Sequence, residues 1–296
     1  MKGAAFACVA LLALIGSAAV PAMAGEVEVT DKDRVFRNFT REAAVLGEGR
    51  FRLEVRGFTL DDEEEPELDL SGFPLGEVAE RVNAANNGQT AFEPNRVQGE
   101  IIDLLGSYGV GANAEIGFDV PFLIQKTRLV DATSSDVDTR NDQDVGDVLL
   151  YGKFKRMVAK NCALAAGVEL NLPTGVERKG FGTGEFGANP FLSSRYQQGR
   201  WGVGAHIGYQ IYTGSVDDAF NYSAEALVRG NEHYALRTEI AGRYFRALGQ
   251  QFNDIVVMPG FDLYLSDNFT IRPTGLAGLT DEALDWGIGV GIALTR

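Results

Sequence analysis

The chain has 296 residues, and its 41 acidic and 27 basic side chains give a formal charge of −14. Past the first two dozen residues no segment approaches the ~20 consecutive apolar residues that a spanning helix needs, and the acidic balance excludes nucleic acid, whose phosphates want a basic footprint. A hydrophobic content of 45% excludes a disordered chain, while 36 glycines (about 12% against a usual ~7%) and 10% aromatics lean towards β structure.

The chain opens with Met1-Lys2, an apolar run from Ala4 to Val20, Pro21, and Ala22-Met23-Ala24. A basic start, a short apolar core and an Ala-x-Ala end predict a secretory signal peptide cleaved after Ala24. Cleavage removes Cys8 and Lys2, leaving a mature charge of −15 and Cys162 alone, so no internal disulfide is expected. In residues 25–49, Val35, Phe36, Phe39, Ala43 and Leu46 fall at helical spacing. This predicts a short amphipathic helix, either resting at a periplasmic mouth or inserted as a plug, with an unstructured leader as the alternative.

From Phe51 onward the period changes to two. Phe51, Leu53 and Val55 alternate with Arg52, Glu54 and Arg56; Trp286, Ile288, Val290, Ile292 and Leu294 alternate with glycine and alanine. Strands are expected at 50–60, 98–108, 114–124, 146–156, 162–172, 187–197, 201–212, 219–229, 234–245, 254–265, 269–278 and 285–295, twelve in all. The odd-numbered connections (61–97, 125–145, 173–186, 213–218, 246–253, 279–284) are longer than the even-numbered ones, which span three to five residues. An even strand number, strands of ~9–11 residues and all the long loops at one end are the pattern of a transmembrane barrel. Lipid offers no partner to backbone N–H and C=O groups, so such a sheet must close. The fold expected is therefore all-β, a transmembrane up-and-down antiparallel β-barrel of about twelve strands.

In that barrel the apolar parity meets lipid. Phe51, Tyr108, Trp201, Tyr234 and Phe269 would form one aromatic girdle, and Phe122, Phe220, Tyr222, Tyr244 and Trp286 the other. The opposite parity lines the lumen with Arg52, Arg56, Lys153, Lys155, Arg229, Arg237, Arg243 and Arg272 against Glu54, Asp103, Glu115, Asp119, Asp147, Glu169, Glu225, Glu239 and Asp262, together with His206. Eight basic groups against nine acidic ones do not make the one-sided lining of an anion or oligosaccharide pore. Twelve strands lie between the filled small barrel and the open large one, leaving both an open and a plugged lumen possible. The acidic run Asp61-Asp62-Glu63-Glu64-Glu65 in the longest loop reads as solvated charge, with divalent-cation binding as the sharper alternative.

Nothing in the sequence points to covalent chemistry. Gly182-x-Gly184-x-x-Gly187 matches a dinucleotide fingerprint but leads into a strand instead of a helix, so it reads as a flexible hairpin loop. No Cys/His cluster has metal-ligand spacing. A hydrolase would need Ser193, Ser194 or Ser223 beside His206, and no Gly-x-Ser-x-Gly elbow exists. No catalytic residue, cofactor or metal is expected.

Five stretches occur in a telling order: Ser107-Tyr108-Gly109 to Phe122, Val145-Gly146-Asp147 to Lys155, Leu170-Asn171-Leu172-Pro173-Thr174-Gly175, Gly182-Thr183-Gly184 to Tyr196, and Trp201 to Tyr209. In this order they resemble the bacterial outer-membrane transporter family named after the MetA pathway of phenol degradation, over roughly 97–296. The resemblance implies an outer-membrane barrel that passes small hydrophobic or aromatic compounds. Its partners would be outer-membrane lipid and lipopolysaccharide, the barrel-assembly machinery and the solutes themselves. A surface barrel with a shut lumen and a structural or adhesive role is the alternative expectation.

Overall fold

A computed structural model describes residues 43–62, 92–131, 137–177, 181–214, 216, 218–247, 250–280 and 283–296. The expected signal peptide, most of the expected N-terminal helix and most of the acidic 61–97 connection lie outside the described residues. The strands are β1 (Phe51–Asp62), β2 (Phe92–Gly111), β3 (Ala114–Asp131), β4 (Val137–Val145), β5 (Val148–Ala159), β6 (Cys162–Leu172), β7 (Gly187–Gln198), β8 (Trp201–Tyr212), β9 (Ala219–Arg229), β10 (Tyr234–Ala247), β11 (Gln250–Tyr264), β12 (Phe269–Gly278) and β13 (Trp286–Thr295).

Thirteen segments make twelve staves. β4 and β5 both pair with β3, from Phe122↔Val145 to Val130↔Val137 and from Ala114↔Phe154 to Asp119↔Leu149, so they are two halves of one stave broken at Gly146-Asp147. Every stave is antiparallel to its neighbours in chain order, and β1 pairs with both β2 and β13. The ring is closed at its end by the reciprocal bonds Phe51 N–H to Arg296 C=O (2.8 Å) and Arg296 N–H to Phe51 C=O (2.9 Å). Closure leaves no ladder edge, the condition for a sheet in lipid.

Outward parity is apolar as expected. Leu53, Val55, Ile102, Leu104, Ile116, Val168, Leu192, Ile207, Leu236, Ile240, Ile288, Val290, Ile292 and Leu294 are all exposed. Phe51, Tyr108, Trp201 and Tyr234 are exposed at the short-turn end, and Tyr244 and Trp286 at the other, whereas Phe269, Phe122, Phe220 and Tyr222 are half-buried. By the usual orientation of such barrels the short turns are periplasmic and the long connections face out.

Two expected loops are instead strand. β2 and β3 run 20 and 18 residues, and β3 and β4 together occupy most of the expected 125–145 connection. At the β10–β11 corner the ladder continues to Ala247↔Gln250, so most of the expected eight-residue loop 246–253 is strand. The reason is physical: beyond the bilayer both faces of a hairpin meet water, so polar alternation disappears while the backbone ladder persists. Asn141, Asp142 and Gln143 are three consecutive exposed residues inside β4.

Val168 on β6 is 41% exposed on the outward face, and its neighbour Glu169 is half-buried on the inward one. Val168→Arg is expected to cost roughly 2–4 kcal/mol at mid-bilayer depth. Reversible unfolding in lipid vesicles measures this, with Glu169→Arg costing far less.

Candidate functional site

Inside the ring the side chains sort into three levels. At the periplasmic level the chain ahead of β1 turns inward. Ala43, Ala44, Val45 and Leu46 are buried, Ala43 packing on the small inward side chains Ala163 and Ala165 of β6. Larger residues at 163 and 165 would fill the space this backbone uses. Leu46 N–H donates to Glu115 Oε2 (2.7 Å), while Tyr151 Oη donates to Glu115 Oε1 (2.9 Å), from which Lys153 Nζ lies 3.2 Å. Gly49 N–H to Gly109 C=O and Gly109 N–H to Arg50 C=O pin the segment to β2. The described residues 43–50 are not helical, so the helical spacing that includes Ala43 and Leu46 is not realised there.

The middle level is ionic. Arg272 Nη1 donates to both oxygens of Glu54 (2.9 and 3.1 Å), and its Nε lies 3.0 Å from Asp262 Oδ1. Arg237 Nη2 approaches Asp262 at 3.7 Å and Arg52 Nη2 approaches Glu54 at 3.5 Å. Arg56 gives Nε (3.2 Å) and Nη2 (2.9 Å) to Asp103 and comes within 4.0 Å of Asp119. Asp262 has 0% of its surface exposed and its partners are buried with it. Beside this network Ser193 Oγ lies 3.0 Å from His206 Nδ1, with Phe191 tilted against the imidazole at 5.3 Å. Of the three serines considered, Ser193 thus stands within hydrogen-bond distance of His206, with 1% of its surface exposed, and Ser223 is the residue opposite His206 in the β8–β9 register.

The outer level departs from the expected polar lining. Leu60, Ile101, Leu123, Ala241, Met258 and Leu276, all on inward parity, form one buried apolar cluster with Phe181 and Leu284 from the β6–β7 and β12–β13 connections, and Phe58 and Val256 pack against it. On β13 the inward Gly287 and Gly289 leave the room that Leu60 and Phe58 fill; a Cβ at either would collide with them. Across the lumen, Asn171, Asn189 and Gln210 are buried and Glu169 and Asn221 half-buried, so the outer lumen has an apolar and a polar side.

The inward-parity residues named from sequence therefore fall in distinct places. Arg52, Glu54, Arg56, Asp103, Asp119, Arg237, Asp262 and Arg272 come together, and Glu115 joins Lys153. Glu225 and Glu239 are buried opposite each other on β9 and β10. Arg229 lies over the Tyr264 ring at 6.0 Å and Arg243 over Phe245 at 5.2 Å, both half-buried, as is Lys155. Asp147 stands apart, at the break between β4 and β5. The apolar cluster was missed although part of it was readable: Phe58 and Leu60 share the parity of Arg52, Glu54 and Arg56. Phe181 and Leu284 sit in connections, where periodicity carries no signal.

This architecture defines a twelve-stave transmembrane barrel with a two-sided lumen. No protein-family model and no curated protein matches the chain. Among solved structures it is similar to an outer-membrane channel from Pseudomonas putida F1, at 12% identity and a TM-score of 0.59 over 88% of this chain and 100% of that one. The NanC porin follows at 8% identity and 0.49 over 82% and 98%, and the Pseudomonas putida toluene transporter TodX at 11% and 0.43 over 86% and 90%. At these identities the likeness is one of fold.

Removing one partner of a buried ion pair strands the other charge, which costs about 3–5 kcal/mol. Arg272→Leu is expected to lose that much stability by urea unfolding in detergent, and the Glu54→Leu, Arg272→Leu double variant to lose less than the single one.

Proposed function

We propose that this chain is a channel of the bacterial outer membrane for passive passage of small solutes, hydrophobic and aromatic compounds among them. The observation that carries the reading is the inward apolar cluster of Leu60, Ile101, Leu123, Met258 and Leu276 beneath the outer mouth. A hydrophilic pore has no use for such a surface, whereas an apolar solute gains by transfer into it. The resemblance to the MetA-named transporter family, and the fold shared with an outer-membrane channel, both support this reading. The inward charges, from Arg52 and Glu54 to Asp262 and Arg272, act as the selective lining below the apolar cluster. Membrane lipid, lipopolysaccharide and the barrel-assembly machinery are its natural partners, after export directed by residues 1–24.

Residues 25–49 act in this reading as a plug anchored by the Leu46–Glu115 hydrogen bond at the periplasmic mouth. One observation favours a shut, structural barrel instead: the Arg272–Glu54–Asp262 layer is buried as a protein core is. Planar-bilayer recording separates the two. The mature protein is expected to conduct weakly, and removal of residues 25–47 to raise its conductance and its uptake of aromatic solutes. Silence from both proteins would leave the shut barrel standing and end the channel reading.

A further inference from the structure

β4 has a neighbour on one side only. Among the described residues it pairs with β3, from Phe122↔Val145 to Val130↔Val137, and it stands last in the strand order of the sheet. The cause lies lower in the wall. β6 stops at Leu172, opposite Val148, since Pro173 has no N–H to give a ladder. The chain then turns away: Thr174 Oγ1 accepts from Val148 N–H (2.9 Å), and Gly175 N–H donates to Asp147 Oδ1 (2.9 Å). Above Leu172 no described strand continues the wall beside β4.

Backbone groups of successive residues in a strand point to opposite sides. Gly146 N–H donates to Pro121 C=O of β3 (2.9 Å), so the even-numbered residues of β4 face the ladder. Val137, Thr139, Asn141 and Gln143 therefore turn their N–H and C=O groups to the open side. Val145 shares that side, and its N–H is met by the Asp144 carboxylate (3.0 Å). From Val145, level with Phe122, the strand rises away from the hydrocarbon, with Asn141, Asp142 and Gln143 exposed. A nine-residue edge with neither proline nor bulge is a template for one more strand.

Charge selects which strand. Asp138, Asp142 and Asp144 all fall on even positions of β4, and the residues opposite them on β3 are Leu129, Gln125 and Leu123, none of them basic. Two copies of β4 laid antiparallel about Asn141 would set Asp138 against Asp144, and like charges directly opposite are destabilising. The acidic run 61–65 of this chain meets the same repulsion.

We propose that β4 is a docking edge on the outer rim for an extended cationic segment of another protein, added to the sheet as one more strand. The backbone groups of Val137, Thr139, Asn141 and Gln143 hold it. Lysine or arginine at alternate positions of the segment meets the aspartates. This surface stands whether or not the lumen conducts.

The full mature protein in lipid nanodiscs, with a fluorescent peptide of β4's nine-residue length that alternates lysine with valine, tests this. Binding is read by anisotropy and its place by amide hydrogen exchange. The peptide is expected to bind and to protect the amides of Thr139, Asn141 and Gln143. The same peptide with its backbone amides N-methylated keeps its charge and is expected not to bind. Asn141→Pro removes an edge donor but no bond to β3, and is expected to weaken binding about tenfold. Asp138→Lys with Asp142→Lys is expected to weaken binding by about the same factor, and to take up instead the peptide with glutamate in place of lysine. No binding of the lysine peptide to the unaltered protein overturns the inference. So does equal binding of the N-methylated peptide, which would mean attraction of charge without a strand. Equal binding of the lysine peptide by the Asp138→Lys, Asp142→Lys protein overturns it as well, and this arm stands if Asn141→Pro does not fold. Edge amides already protected before peptide is added would show that another part of this chain, a second copy or lipid covers β4, and would also overturn it.

Discussion

Everything in this molecule follows from the poverty of lipid as a hydrogen-bonding solvent. A strand in hydrocarbon must give each backbone N–H and C=O to a neighbouring strand, so the sheet has to close, and once closed it has an outside and an inside of opposite character. The pairing of β1 with β13 is where that requirement is met, with Phe51 and Arg296 exchanging both backbone bonds. Leu53, Val55, Ile292 and Leu294 then face out together at the seam, while Arg52, Glu54 and Arg56 face in.

The inside must in turn be filled or wetted. A twelve-stave ring is wider than side chains fill unaided and narrower than an open porin. Here three different devices occupy it. Backbone from residues 43–46 enters at the periplasmic level, charges of opposite sign interlock at the middle, and an apolar cluster capped by two connections closes the outer level. The ionic layer has little net charge to attract an ion and is costly to break from one side only. Above it, the small inward residues Gly287 and Gly289 allow Phe58 and Leu60 to reach the centre, so the character of the lumen changes along its axis within a single strand.

Much of this was legible because a half-lipid, half-lumen strand writes its environment into every second residue. The strands Cys162–Leu172, Trp201–Tyr212, Ala219–Arg229 and Phe269–Gly278 stand where alternation placed them. Legibility stopped where the solvent became the same on both faces. Around Lys126 and Asp142 the hairpin of β3 and β4 carries polar residues on both parities, so a ladder looks like a loop. It also stopped where polarity was taken as the sole mark of the inside: Leu60, Met258 and Leu276 point inward although apolar. Asp147 was placed on the inward parity, but its four donors come from Asn171, Gly175 and Thr183, and no local pattern announces contacts made across 24 to 36 residues.

The closing stave offers the most direct measurement of the central claim. Nitroxide labels placed one at a time from 287 to 294, in a Cys162→Ser background in lipid, report collision with oxygen, which concentrates in hydrocarbon. The account predicts a strict period of two, with maxima at 288, 290, 292 and 294 and minima at 287, 289, 291 and 293. A flat profile, or one with its maxima on the glycine positions, would contradict the sealed ring and the division of inside from outside that depends on it.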